Sequence, residues 1–343
     1  MRIGLAGAGR IGARHAAALR RLPEVETLVI ADADAARAHA LAARLAAPAA
    51  GAPDPAGAVE AAGSVPELFG AGLDGIVIAA ATDAHADLVD RSLTAGIAVF
   101  CEKPLAADLG GTFQIVTAAR ASGIPVQVGF QRRFDAGNAA AREAVASGRL
   151  GWLHTVRSCS FDPAPPPPEY VPVSGGLFRD CVIHDLDLIR FVTGREVDWV
   201  VAAGANRGED FFRDAGDVDA GTAMLMLDDG TLGLVAATRY NAAGYDARLE
   251  LFGSKDSVVA GLDERTPVTP LTGREGPSDP YEGFLERFAG AYDAELRTFI
   301  DVVAGRAENP CPPEEALEAF YLAEACEMSR REGRIVGAGE VER

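Results

Sequence analysis

Three glycines near the amino terminus set the first limit on the fold. Gly7-Ala8-Gly9-Arg10-Ile11-Gly12 follows a short apolar run, Arg2-Ile3-Gly4-Leu5-Ala6, and precedes a helix-forming stretch, Ala13 to Arg21. Strand, glycine turn and helix with G-x-G-x-x-G spacing is the pattern of a dinucleotide site. Gly7 permits the tight turn, Gly9 lets backbone approach a pyrophosphate, and Gly12 lets the helix lie close on the strand. The helix start offers N–H groups and partial positive charge to an anion. Asp32 lies 20 residues beyond Gly12, at the end of a second apolar run, Thr27 to Ala31. A carboxylate there accepts hydrogen bonds from both ribose hydroxyls and repels a 2′-phosphate, which favours NAD over NADP. Arg10, beside the turn, could instead help hold a phosphate. The alternative for Asp32 is to cap a helix over Ala33 to Ala43.

At 343 residues the chain is long enough for two domains, and 48% hydrophobic content is that of a globular protein. A net charge of −18 argues against nucleic acid and anionic membranes as partners. An anionic cofactor must then be held by local donors. Cys101, Cys159, Cys181, Cys311 and Cys326 are scattered and lack C-x-x-C spacing, which fits reduced thiols in a cytoplasmic protein and calls for no metal. No signal peptide or membrane-spanning run is expected.

Through residue 130, apolar strands alternate with helices. Residues 46–63, rich in Ala, Gly and Pro, read as a loop where a third strand is due. Gly75 to Ala80 reads as a strand, followed by Thr82-Asp83-Ala84-His85 and a helix to Ala95. Ile97 to Cys101 is the next strand, ending in Glu102-Lys103-Pro104. A further helix, about Asp108 to Ser122, leads to Val126 to Phe130. This alternation predicts right-handed βαβ units and a parallel sheet, with ligands beyond the carboxyl ends of its strands. Gly7 to Gly12, Asp32, Thr82 and Lys103 then share one edge.

Beyond Phe130 the rhythm changes. Ala136 to Ser147 reads as a helix and Leu153 to Ser160 as a strand. Thr222 to Leu227 and Thr231 to Ala237 flank Asp228-Asp229-Gly230 as a hairpin, and Arg248 to Phe252 and Ser257 to Ala260 form another pair. The expected fold is an α/β Rossmann domain, a doubly wound parallel sheet, over residues 1–129. An α+β domain with an open, mostly antiparallel sheet follows over 130–343. Helices cover one face of that sheet, and the other is free to pair with a second subunit. Stripes of Leu296, Phe299, Ile300 and Val303, and of Leu317, Phe320, Tyr321 and Met328, read as core-facing helix surface. Pro163 to Pro168 reads as a stiff loop.

Two places could do chemistry. Lys103, at a strand end on the cofactor edge, could hydrogen-bond a substrate hydroxyl; most lysines, however, are simply exposed. Asp180 and His184 share a face if Val182 to Val192 is a helix. His184 could then act as a general base, or the pair could be an N-cap and a half-buried histidine. Asp185 and Asp187 read as solvated helix positions.

Together these residues resemble the glucose–fructose oxidoreductase/inositol dehydrogenase (Gfo/Idh/MocA) family, most closely its bacterial inositol 2-dehydrogenases. The resemblance runs through nearly the whole chain. It rests on the Gly7 turn with Asp32, on Glu102-Lys103-Pro104, on Gly129-Phe130-Gln131-Arg132-Arg133-Phe134-Asp135 and on Asp180-x-x-x-His184-Asp185-x-Asp187. It implies a catalytic triad of Lys103, Asp180 and His184. Coenzyme contacts are implied from Gly7, Gly9, Arg10, Ile11, Gly12, Asp32, Thr82, His85, Glu102 and Lys103. Implied substrate contacts come from Arg132, Asp162, Asp180, His184 and Tyr245. The implied activity is NAD-dependent oxidation of a secondary hydroxyl of a cyclic polyol, myo-inositol to 2-keto-myo-inositol, in a homodimer or homotetramer built through the open sheet. The alternatives are a dehydrogenase of another sugar, aminosugar or aminocyclitol, and a cofactor-binding regulator without catalysis. Retention of Lys103 and His184 argues against the last.

Overall fold

The structure, a computed structural model, describes residues 1–47, 57–272 and 275–341. They form two compact units: residues 1–131 with 292–317, and residues 132–291 with 318–343. A single cut at 129/130 therefore does not reproduce the units, because a late segment returns to the first. Leu296, Phe299 and Ile300 supply the reason. All three are buried in one core with Ile3, Leu5, Leu28, Ile30 and Phe100, and hydrophobic burial of this kind outweighs chain order.

The first unit runs β1 (Arg2–Ala6), α1 (Arg10–Leu19), β2 (Thr27–Ala31), α2 (Ala35–Ala46), β3 (Ala58–Ala61), α3 (Val65–Leu68), β4 (Gly75–Ile78), α4 (Thr82–Thr94), β5 (Ala98–Glu102), α5 (Leu109–Ser122) and β6 (Val126–Gly129). The six strands are parallel in the order β3-β2-β1-β4-β5-β6. The order reverses direction between β1 and β4, which puts a crevice at their carboxyl ends. The loop expected over 46–63 is corrected in part: Ala58–Ala61 is a strand, paired in register with Thr27–Ile30. At a sheet edge its side chains are only half-buried, so the backbone pairs without the apolar run that marks a central strand. The rest of that loop, residues 48–56, lies outside the described residues.

The second unit contains α6 (Ala136–Ala146), β7 (Leu153–Phe161), α7 (Ile183–Thr193), β8 (Val197–Ala205), α8 (Asp210–Asp214), β9 (Ala220–Leu227), β10 (Leu232–Thr238), β11 (Asp246–Gly253), β12 (Ser257–Ala260), α9 (Phe284–Arg287) and β13 (Val336–Gly337). α10 (Ala289–Val303) and α11 (Pro313–Glu332) are shared by chain with the first unit. The seven-stranded sheet has the order β12-β11-β7-β10-β9-β8-β13. Both expected hairpins form, with Leu232 opposite Met226 and Phe252 opposite Ser257. The central pair, β7 with β10, is parallel, so the sheet is mixed but mostly antiparallel. α11 covers one face; there the Ser329 hydroxyl accepts a 2.9 Å hydrogen bond from the Ala202 N–H of β8.

Candidate functional site

In the first unit the glycine turn is built as its spacing predicts. Gly7 has φ +108°, and a Cβ there would lie 2.4 Å from the Ala79 carbonyl oxygen. A Cβ on Gly12 would lie 2.0 Å from the Gly7 carbonyl oxygen, so helix and turn touch. Gly9 differs: a Cβ there would meet nothing within 4 Å. Gly9 is the N-cap of α1, which has no side-chain cap and no acidic residue in its first turn. Open space before uncapped helix N–H groups fits a pyrophosphate.

Asp32 ends β2 and accepts a 2.6 Å hydrogen bond from the Ala8 N–H at Oδ2 and a 2.9 Å bond from the Asp34 N–H at Oδ1. The cap of α2 is Asp34, whose side chain accepts from Ala36. Asp32 is thus not the helix cap but a carboxylate anchored to the glycine turn, suited to ribose hydroxyls. Thr82 opens α4 just beyond β4, Glu102 ends β5 and Lys103 follows it, so these positions lie along the same sheet edge. A cis peptide joins Lys103 to Pro104. His85 is buried, with Nδ1 2.8 Å from the Pro104 carbonyl and Nε2 3.1 Å from the Ala80 carbonyl. Both ring nitrogens face backbone, so His85 braces the Lys103-Pro104 turn.

In the second unit, a π-helical turn over Phe178–Val182 leads into α7. Asp180 sits inside that turn rather than capping a helix, and His184 follows one turn on, 8% exposed. A π turn is a single wide turn often found at functional sites. Arg239, just past β10, spans two of the expected site carboxylates: Nη2 donates to Asp180 Oδ2 at 2.7 Å and Nη1 to Asp162 Oδ2 at 3.2 Å. Tyr170 donates its hydroxyl to Asp180 Oδ1 at 3.1 Å. Burial pushes the Asp162 carboxyl above its usual range, while Arg239 opposes the rise. Burial, with the Asp180 charge beside it, pushes the Tyr170 phenol up.

Asp185 and Asp187 are not solvated, which corrects the sequence expectation. Both are fully buried. Arg132 Nη1 donates to Asp185 at 3.0 Å, and Arg133 binds Asp187 through Nε at 2.9 Å and Nη2 at 2.6 Å. Ser158 and Ser160 add hydroxyl donors to Asp185. A charge so buried requires such pairing. Arg132 also reaches Ser160 at 2.9 Å and the Tyr245 hydroxyl at 3.4 Å. The two expected substrate residues Arg132 and Tyr245 are therefore joined to each other, and both are buried. Burial raises the Tyr245 phenol, with Arg132 opposing.

Arg239 and Tyr170 escape sequence reasoning, and no local spacing could have found them. Of the expected residues, the structure gathers Gly7, Gly9, Gly12 and Asp32 at one turn, and Asp162 with Asp180 at one guanidinium. Lys103 belongs to the first unit, and Asp180 and His184 to the second.

Residues 1–130 match the family model described as an oxidoreductase family with an NAD-binding Rossmann fold, and residues 138–259 match the GFO/IDH/MocA C-terminal domain. The chain belongs to the GFO/IDH/MocA family. It is 38% identical to myo-inositol dehydrogenase Hyg17 of Streptomyces leeuwenhoekii, over 98% of this chain and 99% of that protein. The crystal structure of a myo-inositol dehydrogenase from Corynebacterium glutamicum superposes with TM-score 0.87 at 37% identity, over 98% of each chain. That of a scyllo-inositol dehydrogenase from Lactobacillus casei, with bound NAD(H) and scyllo-inositol, superposes with TM-score 0.83 at 27% identity, over 98% of each. As a GFO/IDH/MocA oxidoreductase the chain uses NAD, and its first unit is the NAD-binding domain. The Gly9 opening and the anchored Asp32 fit that coenzyme.

Proposed function

We propose that this GFO/IDH/MocA protein is an NAD-dependent dehydrogenase that oxidises a secondary hydroxyl of a cyclic polyol, with myo-inositol as substrate and 2-keto-myo-inositol as product. The observation that carries this reading is Asp180, held by Arg239 and Tyr170 one helical turn from His184, in a chain alike over its full length to proteins named for inositol oxidation. A polyhydroxylated ring needs a polar partner for each hydroxyl it buries. Asp162, Asp180 and Arg239 supply acceptors and a donor in one array. His184 takes the hydroxyl proton as general base. Asp180 orients His184 and binds a neighbouring hydroxyl, and Lys103 hydrogen-bonds the reacting oxygen. The Gly7 turn and Asp32 would hold NAD, which would supply the acceptor for the hydride leaving the ring carbon. Arg132 and Tyr245, tied to Asp185 and Ser160, hold the shape of the substrate pocket.

A second reading, an aminocyclitol or aminosugar as substrate, is favoured by the two carboxylates facing one guanidinium, since an ammonium group would complete the pairing. Following NADH formation with a panel of inositols, hexoses and aminocyclitols separates the readings. Turnover of myo-inositol ahead of the others is expected; no turnover with any of them overturns both.

We also infer a homodimer or homotetramer joined through the uncovered face of the seven-stranded sheet. Support comes from Val201, Met224, Leu234 and Ala236, which line a shallow depression there, with Leu234 42% exposed. A cytoplasmic location is supported by the five cysteines being free. Among the described residues, no helix is long and apolar enough to cross a membrane.

A further inference from the structure

Inside the first unit, two buried titratable side chains, His15 and Glu295, meet the half-buried Glu102 behind the end of β5, and the proposed reaction uses none of the three. His15 of α1 is fully buried, with Nε2 2.6 Å from Oε1 of Glu102. Glu295 of α10 is fully buried as well. Donor atoms from the three side chains lie within 4.8 Å of one another. Neither carboxyl oxygen of Glu295 accepts a hydrogen bond, and Nδ1 of His15 has no partner. Buried polar atoms left this way call for an explanation.

The charges facing Glu295 point to one. Burial first, and the Glu102 carboxylate second, push Glu295 well above the usual carboxyl range; Arg14 of α1 opposes them. Arg14 is itself paired with Asp293 at 2.8 Å. From β6, Gln127 presents a neutral amide whose Nε2 donates to the Glu295 carbonyl at 3.0 Å. From α10, the Tyr292 ring packs edge-on against His15. The protonated form of Glu295 is therefore favoured, and a carboxylic acid O–H needs an acceptor. Glu102 offers the acceptor oxygens in the cluster. It is also hemmed from below, since a Cβ on Gly129 would lie 3.1 Å from its Oε2. The next residue along the chain is Lys103.

We propose that Glu295 is a positioning residue of the coenzyme site: with His15 it clamps the Glu102 carboxylate between two donors, and through Glu102 it sets the strand end that carries Lys103. The inference rests on the proposed function, with Glu102 and Lys103 at the coenzyme as the family resemblance implies. It does not depend on which polyol is oxidised.

NADH fluorescence titration of the full-length protein tests it. Glu295→Gln keeps a neutral donor and binds NADH within about twofold of the parent; Glu295→Leu removes the donor and binds about tenfold more weakly. Circular dichroism and thermal unfolding show whether the Leu variant is folded, and the Gln variant keeps the test open if it is not. Because the raised group is protonated at low pH, ionisation at high pH sets a second negative charge beside Glu102. As the pH rises, the parent loses NADH affinity by more than Glu295→Gln does. Parent-like binding by a folded Glu295→Leu overturns the proposal, as do identical pH profiles for the parent and Glu295→Gln. A divalent metal bound one per chain and lost in Glu295→Gln overturns it as well. Glu102→Ala separates the two levels: unchanged NADH binding there removes the underlying assignment of Glu102, whereas weakened binding beside a parent-like Glu295→Leu removes only the role of Glu295.

Discussion

Arg239 donates a 2.7 Å hydrogen bond to Oδ2 of Asp180 across 59 residues of sequence. Its other arm reaches Asp162, 77 residues away. The guanidinium is 5% exposed and the Asp180 carboxylate 12%, so the pair works where water screens little. Removing the cation leaves two carboxylates facing each other. Arg239→Gln is expected to lower kcat/KM for the polyol about 100-fold, equal to about 2.7 kcal/mol of transition-state stabilisation. NADH affinity should stay unchanged. Steady-state kinetics with separate NADH titration check this, and unchanged kcat/KM would remove Arg239 from the site.

His184→Asn is expected to lower kcat by about 10²- to 10⁴-fold while leaving NADH binding intact, the range for loss of a general base. A base acts only when deprotonated, so the parent should slow as the pH falls. The variant's residual rate should depend on pH less. Lys103→Met should reduce kcat as well, through loss of the hydrogen bond to the reacting oxygen. Turnover within twofold of the parent for the His184 variant would reassign the base.

Gly9 and Gly12 separate binding from folding. A methyl group at Gly9 enters open space. Gly9→Ala should therefore unfold at the parent's temperature yet bind NAD about tenfold more weakly, because the methyl takes the space of the pyrophosphate. At Gly12 the same methyl would strike the Gly7 carbonyl at 2.0 Å. Gly12→Ala should lose about 1–3 kcal/mol of stability or more. Calorimetry and NADH titration of both variants give the comparison. Equal behaviour of the two would contradict it.

Leu234 bears on assembly. It is exposed on the uncovered face of the second sheet, among Val201, Met224 and Ala236. Leu234→Arg should shift the mass measured by light scattering to a smaller species. The parent eluting as a monomer would instead exclude this face as an interface.

The glycine turn was readable because its signature is local: Gly7, Gly9 and Gly12 fall within one strand, one turn and one helix, although Ala79 and Asp32 then pack against it from farther along the chain. The two hairpins were readable for the same reason, each closed by a short turn between neighbours. β8 was not, because its outward positions Trp199, Val201 and Ala203 are apolar or small, which erases the alternation that marks a half-exposed strand. The edge strand Ala58–Ala61 was missed because backbone pairing with β2, not side-chain pattern, makes it a strand.

Spacing left Lys103, Asp180 and His184 as candidates beside plain structural roles, and the family resemblance assigned them to alcohol oxidation. Spacing could not tell what surrounds them. Asp185 and Asp187 read as solvated because spacing along one helix carries no record of Arg132 and Arg133, which lie 53 and 54 residues upstream. Arg239 and Glu295 were silent for the same cause. A local pattern records which neighbours a residue has along the chain. Only the strand order of the two sheets decides which distant charge is brought beside it, and in a buried setting that partner determines whether the residue is a floor, a clamp or a base.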